Sequence, residues 1–165
     1  MRQSKVLSVS VPAGVDSGNR IRLSGKGEAG FRGGPAGDLY IFIAVDPHPI
    51  LMRDGADILT RIPVPMTTAA LGGSIDVPTV EGRMARLTIE AGTQSGRRFR
   101  MRGKGMPVLR RSSRGDQIVE VQVETPTNLS KKQKDLLKQF GDTGATSPET
   151  ESFLKRARRI WADDS

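Results

Sequence analysis

Apolar and polar positions alternate from residue 5 to residue 11, with Leu7, Val9 and Val11 on one side and Ser8 and Ser10 on the other. That period of two predicts a half-buried β-strand. The same alternation runs through Arg20-Ile21-Arg22-Leu23 and through Arg98-Phe99-Arg100-Met101-Arg102, with the arginines facing outward in both. A longer apolar strand is expected from Leu39 to Val45, and further strands from Asp57 to Ile62 and from Met84 to Ile89. Pro63 and Pro65 restrict where the strand before them can pair. Between these strands, Thr67 to Gly73 reads as a short helical turn stopped by glycine, and Val80-Glu81-Gly82-Arg83 as a hairpin tip.

After Pro126 the period changes to that of a helix. Ser130 and Gln133 have the spacing of a capping box, and Leu136, Leu137 and Phe140 share one face. Gly141 is placed to end this helix in the left-handed region. Residues 142 to 147 read as a polar linker. Ser147-Pro148 then opens a second helix, whose apolar stripe is Phe153, Leu154, Ala157, Ile160 and Trp161, with Lys155, Arg156, Arg158 and Arg159 around it.

The chain also contains itself twice. Ala13-Gly14, Ser17-Gly18, Arg20, Arg22, Gly25-Lys26-Gly27 and Gly37-Asp38 recur as Ala91-Gly92, Ser95-Gly96, Arg98, Arg100, Gly103-Lys104-Gly105 and Gly115-Asp116, at a constant offset of 78. Shared turn glycines and strand patterns force one backbone path twice, so the expected fold is mainly β, with two tandem β-sandwich-like units followed by C-terminal helices. The copies differ in one strand: Ile41, Ile43 and Val45 align with Val119, Val121 and Val123, but Phe42 and Ala44 align with Glu120 and Gln122. Either the first copy's strand is sandwiched in a core, or its Tyr40 and Phe42 face lines a groove for apolar ligands.

Composition narrows the function. In 165 residues with 36% hydrophobic and 27% charged positions, one or two small cores are possible. No apolar run approaches the roughly 18 residues of a membrane span, and Met1 to Lys5 lead into a strand rather than a signal-peptide core, so a cytoplasmic chain without a membrane partner is expected. The absence of cysteine excludes disulfides, thiolate metal sites and cysteine nucleophiles. A net charge of +8 admits acidic partners or simple solubility.

Candidate chemistry is sparse. Gly25-Lys26-Gly27-Glu28-Ala29-Gly30 has the G-x-G-x-x-G spacing of a dinucleotide loop, but Gly33, Gly34, Pro35 and Gly37 leave no room for the helix that such a site requires. His48, the only histidine, sits between Pro47 and Pro49 without a nucleophile pattern nearby, and Asp54 and Asp57 flank a Gly55-Ala56 turn rather than a calcium loop. Arg97, Arg98, Arg100, Arg102, Lys104, Arg110, Arg111 and Arg114 are either a phosphate-binding stripe or the solvated face of a strand. With one Trp, one Tyr and five Phe, there is little aromatic surface on which bases could stack. No enzyme is assembled from these residues.

The segments from Leu7 to Val15, from Arg20 to Gly30 and from Ala36 to Leu39 closely resemble the C-terminal region of the bacterial DnaJ family of J-domain co-chaperones. So do His48-Pro49-Ile50, Arg53-Asp54-Gly55, Ala69-Ala70-Leu71-Gly72-Gly73, Val77-Pro78-Thr79, Arg100 to Gly105, Gly115-Asp116 and Glu124-Thr125-Pro126. The resemblance covers about residues 5 to 141. It implies residues 1–47 as the second half of a first C-terminal domain, 48–126 as a second, 127–141 as a dimerisation helix, and 142–165 as a linker with an amphipathic tail helix. It further implies binding of unfolded polypeptide by the first domain at Leu7 and Ile41, with Val9 and Ile43 on the same face, against the rival face of Tyr40 and Phe42. Leu136, Leu137 and Phe140 become homodimer contacts. A J domain and the family's cysteine-rich zinc module are missing from this chain. No zinc or other cofactor is therefore expected, the first domain is incomplete, and partnership with a DnaK-type chaperone belongs to the full-length protein. The alternative is a basic β protein that binds nucleic acid.

Overall fold

A computed structural model describes residues 4–144 and 147–163, and the chain divides into two compact units, Met1–Thr125 and Pro126–Ser165. In the first unit the amino-terminal copy contributes an antiparallel ribbon of β1 (Arg20–Leu23) and β2 (Leu39–Phe42), paired Arg20↔Phe42, Ile21↔Ile41, Arg22↔Tyr40 and Leu23↔Leu39. Period-two alternation makes this register put Ile21, Leu23, Leu39 and Ile41 on one face and both arginines, Tyr40 and Phe42 on the other.

The second copy is larger. A four-stranded sheet has the order β3 (Met52–Asp54), β4 (Asp57–Pro65), β8 (Gln117–Glu124), β7 (Arg98–Met101), and β5 (Gly73–Pro78) pairs with β6 (Met84–Ile89) as a separate hairpin. Asp54↔Asp57 closes the β3–β4 hairpin around Gly55, whose φ of 60° suits glycine. β4 runs parallel to β8 from Ile58↔Gln117 to Pro65↔Glu124. The ladder passes through Pro63 and Pro65, which requires their missing donors to face away from β8. Between β4 and β5, the short helix α1 (Met66–Leu71) ends at Gly72, with φ 80°.

The core lies entirely in this second copy. Val64, Ala69, Ile89 and Val121 form one buried cluster, with Ile62, Ile75, Leu87, Phe99 and Val123 packed against it. Each fully buried aliphatic chain contributes about 1.5–3 kcal/mol. Among the described residues, none before Ile58 is buried. The duplication is nonetheless carried into the hydrogen bonds. Gly27 donates to the Gly37 carbonyl and Gly105 to that of Gly115; Gly18 donates to Ile43 and Gly96 to Val121; Ser17 Oγ accepts from Val45 and Ser95 Oγ from Val123.

Two expectations are corrected. Residues 5 to 11 form no strand. Their counterparts in the second copy lie in β6, which is held by β5, whereas no described strand pairs with residues 5 to 11. Without a partner, alternation alone makes no ladder. Gly141 does not end its helix either: α2 (Lys131–Asp142) runs past it, and Thr143 closes the helix by donating both its N–H and its hydroxyl to the Phe140 carbonyl. The Ser130–Gln133 capping box is present in both directions, at 3.2 and 2.8 Å. Leu136 and Phe140 are exposed and Leu137 half-buried. α3 (Pro148–Asp163) begins on its proline and leaves Phe153, Leu154, Ile160 and Trp161 exposed. No described helix is long and apolar enough to cross a membrane.

Candidate functional site

The ribbon of the first copy is fixed at its loop end by Asp38. Its carboxylate accepts from Arg22 Nε at 2.7 Å and from the Gly25 N–H at 3.0 Å. The Gly25 amide first, and then Arg22, hold the Asp38 carboxyl below its ordinary range, because both favour the charged form. Asp116 repeats the arrangement with the Gly103 N–H and Arg100, and its pKa is lowered for the same reasons. The loop that carries the G-x-G-x-x-G spacing is therefore a turn. It holds only a three-residue 3-10 turn at Phe31–Gly33, in which Arg32 adopts φ 53°, and no nucleotide-binding helix starts there.

The two copies differ in how β2 and β8 are flanked. β8 lies between β4 and β7, whereas β2 pairs with β1 alone and carries no strand on its other edge among the described residues. Leu39, Ile41 and Ile43 are consequently half-buried or little more, while their counterparts Gln117, Val119 and Val121 are fully buried. The opposite face also changes chemistry. Glu120 accepts from Arg61 Nε at 2.7 Å and from Arg98 Nε at 3.1 Å, and these two contacts lower its pKa. At the matching position Phe42 is 73% exposed, beside Tyr40 at 45%. Arg20 lies over the Tyr40 ring at 5.5 Å.

Leu7 and Val9 are half-buried, with Ser8 and Ser10 exposed, so the alternation survives as burial over residues 7–10 where it fails as a ladder, but Val11 is exposed. No ladder places either residue beside Ile41, whereas Ile21, Leu23, Leu39 and Ile41 are brought together by the β1–β2 register.

Five of the eight cations of the arginine stripe are paired with carboxylates. Arg97 pairs with Glu90 at 2.9 Å, Arg98 with Glu120, Arg100 with Asp116, and Arg114 and Lys104 with Glu81 at 3.0 and 4.0 Å. Such an arrangement is for the most part a solvated, self-paired face, with Arg102, Arg110 and Arg111 outside any ion pair among the described residues. His48 acts locally: its Nδ1 accepts from the N–H groups of Ile50 and Leu51 at 3.2 and 3.1 Å. No group of three or more His, Asp or Glu side chains that could hold a metal occurs among the described residues.

One feature escaped the sequence pattern. A cleft of about 690 Å³ opens where the two copies meet, with walls from residues 16, 45–48 and 51–53 and from Ile58 of β4, the β5–β6 turn and Met106. Its walls are far apart in the chain, and no local spacing announces it.

A family model described as "DnaJ C terminal domain" matches residues 1–126, and one described as "Chaperone protein DnaJ C-terminal region" matches residues 132–163. The chain is 56% identical over 98% of its length to "Chaperone protein DnaJ" of Rhodospirillum centenum, 53% over 98% to that of Paramagnetospirillum magneticum, and 52% over 96% to that of Rhizobium meliloti. It spans 42 to 44% of the length of these relatives. With matched models on the duplicated β unit and on the helices that follow it, the chain belongs to the DnaJ C-terminal domain family, a chaperone family.

Proposed function

We propose that this chain is a co-chaperone segment that holds unfolded polypeptide without covalent chemistry, cooperating in the full-length protein with a DnaK-type chaperone in the cytoplasm. The single observation carrying this reading is the second edge of β2. The corresponding edge of β8 is filled in parallel by β4, whose Ile58, Thr60, Ile62 and Val64 lie opposite Gln117, Val119, Val121 and Val123. Ile43 bonds Asn19 and Gly18 on the β1 side, so by alternation the same edge of β2 offers the backbone donors and acceptors of Tyr40, Phe42 and Ala44, interleaved with the side chains of Leu39, Ile41 and Ile43. An extended client segment that adds there gains ladder hydrogen bonds of about 0.5–1.5 kcal/mol net each and buries its alternate apolar side chains. Leu7, Val9, Ile41 and Ile43 supply the apolar contacts, and binding of this kind takes no cofactor. Tyr40 and Phe42 form the rival surface on the other face of the same strand. Dimerisation through Leu136, Leu137 and Phe140 doubles the number of sites and adds avidity.

The test is suppression of aggregation of a chemically denatured client by this chain. The Leu7→Ser and Ile41→Ser variants should lose most of it, with Tyr40→Ser and Phe42→Ser little changed. If only the Tyr40 and Phe42 variants fail, the client lies on the other face; if all four retain full activity, the β2 surface is not the site.

A further inference from the structure

We infer that the cleft between the two copies is a second polypeptide contact, taking a leucine or phenylalanine side chain from an extended segment that carries a lysine or arginine beside it. The inference rests on the proposal that the chain holds unfolded polypeptide. It concerns a different surface from the β2 edge. At about 690 Å³ the cleft lies within the range of pockets that enclose small ligands or a few side chains. Val45, Leu51, Met52, Ile58, Val80 and Met106 make its wall apolar. Two of the six are methionines, whose unbranched, polarisable side chains refit to differing guests.

The polar groups at the cleft select charge. The Arg53 guanidinium lines it but is consumed, donating to the carbonyls of Gly14, Val15 and Gly55 and lying 3.5 Å from Asp16. The His48 Nδ1 is consumed by its two backbone donors. Asp46 makes no ion pair among the described residues, and Asp16 shares its only one with the tethered Arg53. The lining thus sets two carboxylates against one guanidinium, and with Arg53 beside Asp16 one negative charge is left over at Asp46, in a chain whose net charge is +8; this favours a cationic neighbour to the apolar anchor. A second copy of this chain, itself basic, is the competing occupant.

Fluorescence anisotropy tests this with two labelled 11-residue peptides sharing a Leu-Phe-Leu centre, one flanked by lysines and one by glutamates. The parent chain should bind the lysine peptide at least fivefold more tightly. Val80→Trp, which fills the cleft, should weaken that peptide at least fivefold, and Asp46→Lys, at an exposed position, should abolish the preference. Ile41→Ser should weaken both peptides alike. Equal binding of the two peptides by the parent overturns the inference, as does unchanged binding in both Val80→Trp and Asp46→Lys. So does a change in sedimentation, rather than in peptide affinity, on Val80→Trp. If the cleft variants bind normally while Ile41→Ser fails, the cleft is refuted and the β2 reading stands. If the parent binds neither peptide, both are refuted.

Discussion

Arg53 reaches back across the repeat boundary and donates from Nη1 to the Val15 carbonyl at 2.7 Å. Nη2 reaches the Gly14 carbonyl at 3.2 Å and Nε the Gly55 carbonyl at 2.8 Å, so one side chain joins the turn of the first copy to the first hairpin of the second. The guanidinium fork can serve three carbonyls at once, which a lysine ammonium cannot match in geometry. Arg53→Ala should lower unfolding free energy by about 1–3 kcal/mol, and Arg53→Lys should recover less than half of the loss. The midpoint of urea denaturation measures both, and a midpoint unchanged within error for Arg53→Ala would show that the tether is idle.

Gly14 tests the same joint from the other side. Its φ is 88°, and a β-carbon there would lie 2.5 Å from the Pro107 carbonyl oxygen and 2.7 Å from the Leu109 nitrogen. Gly82 has a similar φ of 77° with open space around it. Gly82→Ala should therefore cost only the left-handed strain of about 1–2 kcal/mol, and Gly14→Ala clearly more, because backbone must also move. Equal shifts in thermal midpoint for the two would mean that the copies do not press together at this turn.

How far the chain could be read in advance depended on the range of the interaction. The repeated turns, the turn between Asp54 and Asp57, the tip near Gly82 and the Ser130 capping box were legible, because each is settled by residues a few positions apart. The parallel pairing of β4 with β8 was not, since Ile58 and Gln117 meet only after the whole second copy has folded between them. Residues 5 to 11 show the converse: a strand pattern without a neighbouring strand stays outside any sheet. Gly141 looked like a helix end, yet a glycine can remain helical where a threonine side chain closes the turn behind it. Of the candidate site, the sequence carried the residues of β2 and their asymmetry with β8. The joint cleft was invisible, being made by tertiary approach of segments up to 90 residues apart, Asp16 to Met106.

Acid should loosen both copies. Asp38 and Asp116 have folded-state pKa values depressed below those of an unfolded aspartate, so their contribution is fully present above the unfolded value of about 3.9 and is lost as pH falls through the folded values. Stability measured by denaturant should thus decline below about pH 4. Asp116→Asn should be less stable at pH 7 and show a shallower acid decline. A decline as steep as the parent's would place the acid sensitivity elsewhere.

Gln117 offers a coupling test inside the core. Its Nε2 donates to Thr60 Oγ1 at 2.9 Å and to the Pro78 carbonyl at 2.8 Å, its Oε1 has no partner among the described residues, and the first copy carries Leu39 at this place. Gln117→Leu should destabilise by about 1–2 kcal/mol by stranding Thr60 and Pro78. Adding Thr60→Val removes one stranded group and should restore part of that loss, so that the double variant is more stable than Gln117→Leu alone. Strict additivity of the two single effects would deny the pair any coupling.

The central claim, that β2 accepts a client strand on its open edge, is tested most directly by amide hydrogen exchange of this chain with and without an unfolded client. The account predicts that saturating client slows exchange at backbone amides within residues 39–45, while β8 amides, already flanked on both sides, do not change. Client-dependent protection that spares residues 39–45 altogether would contradict it.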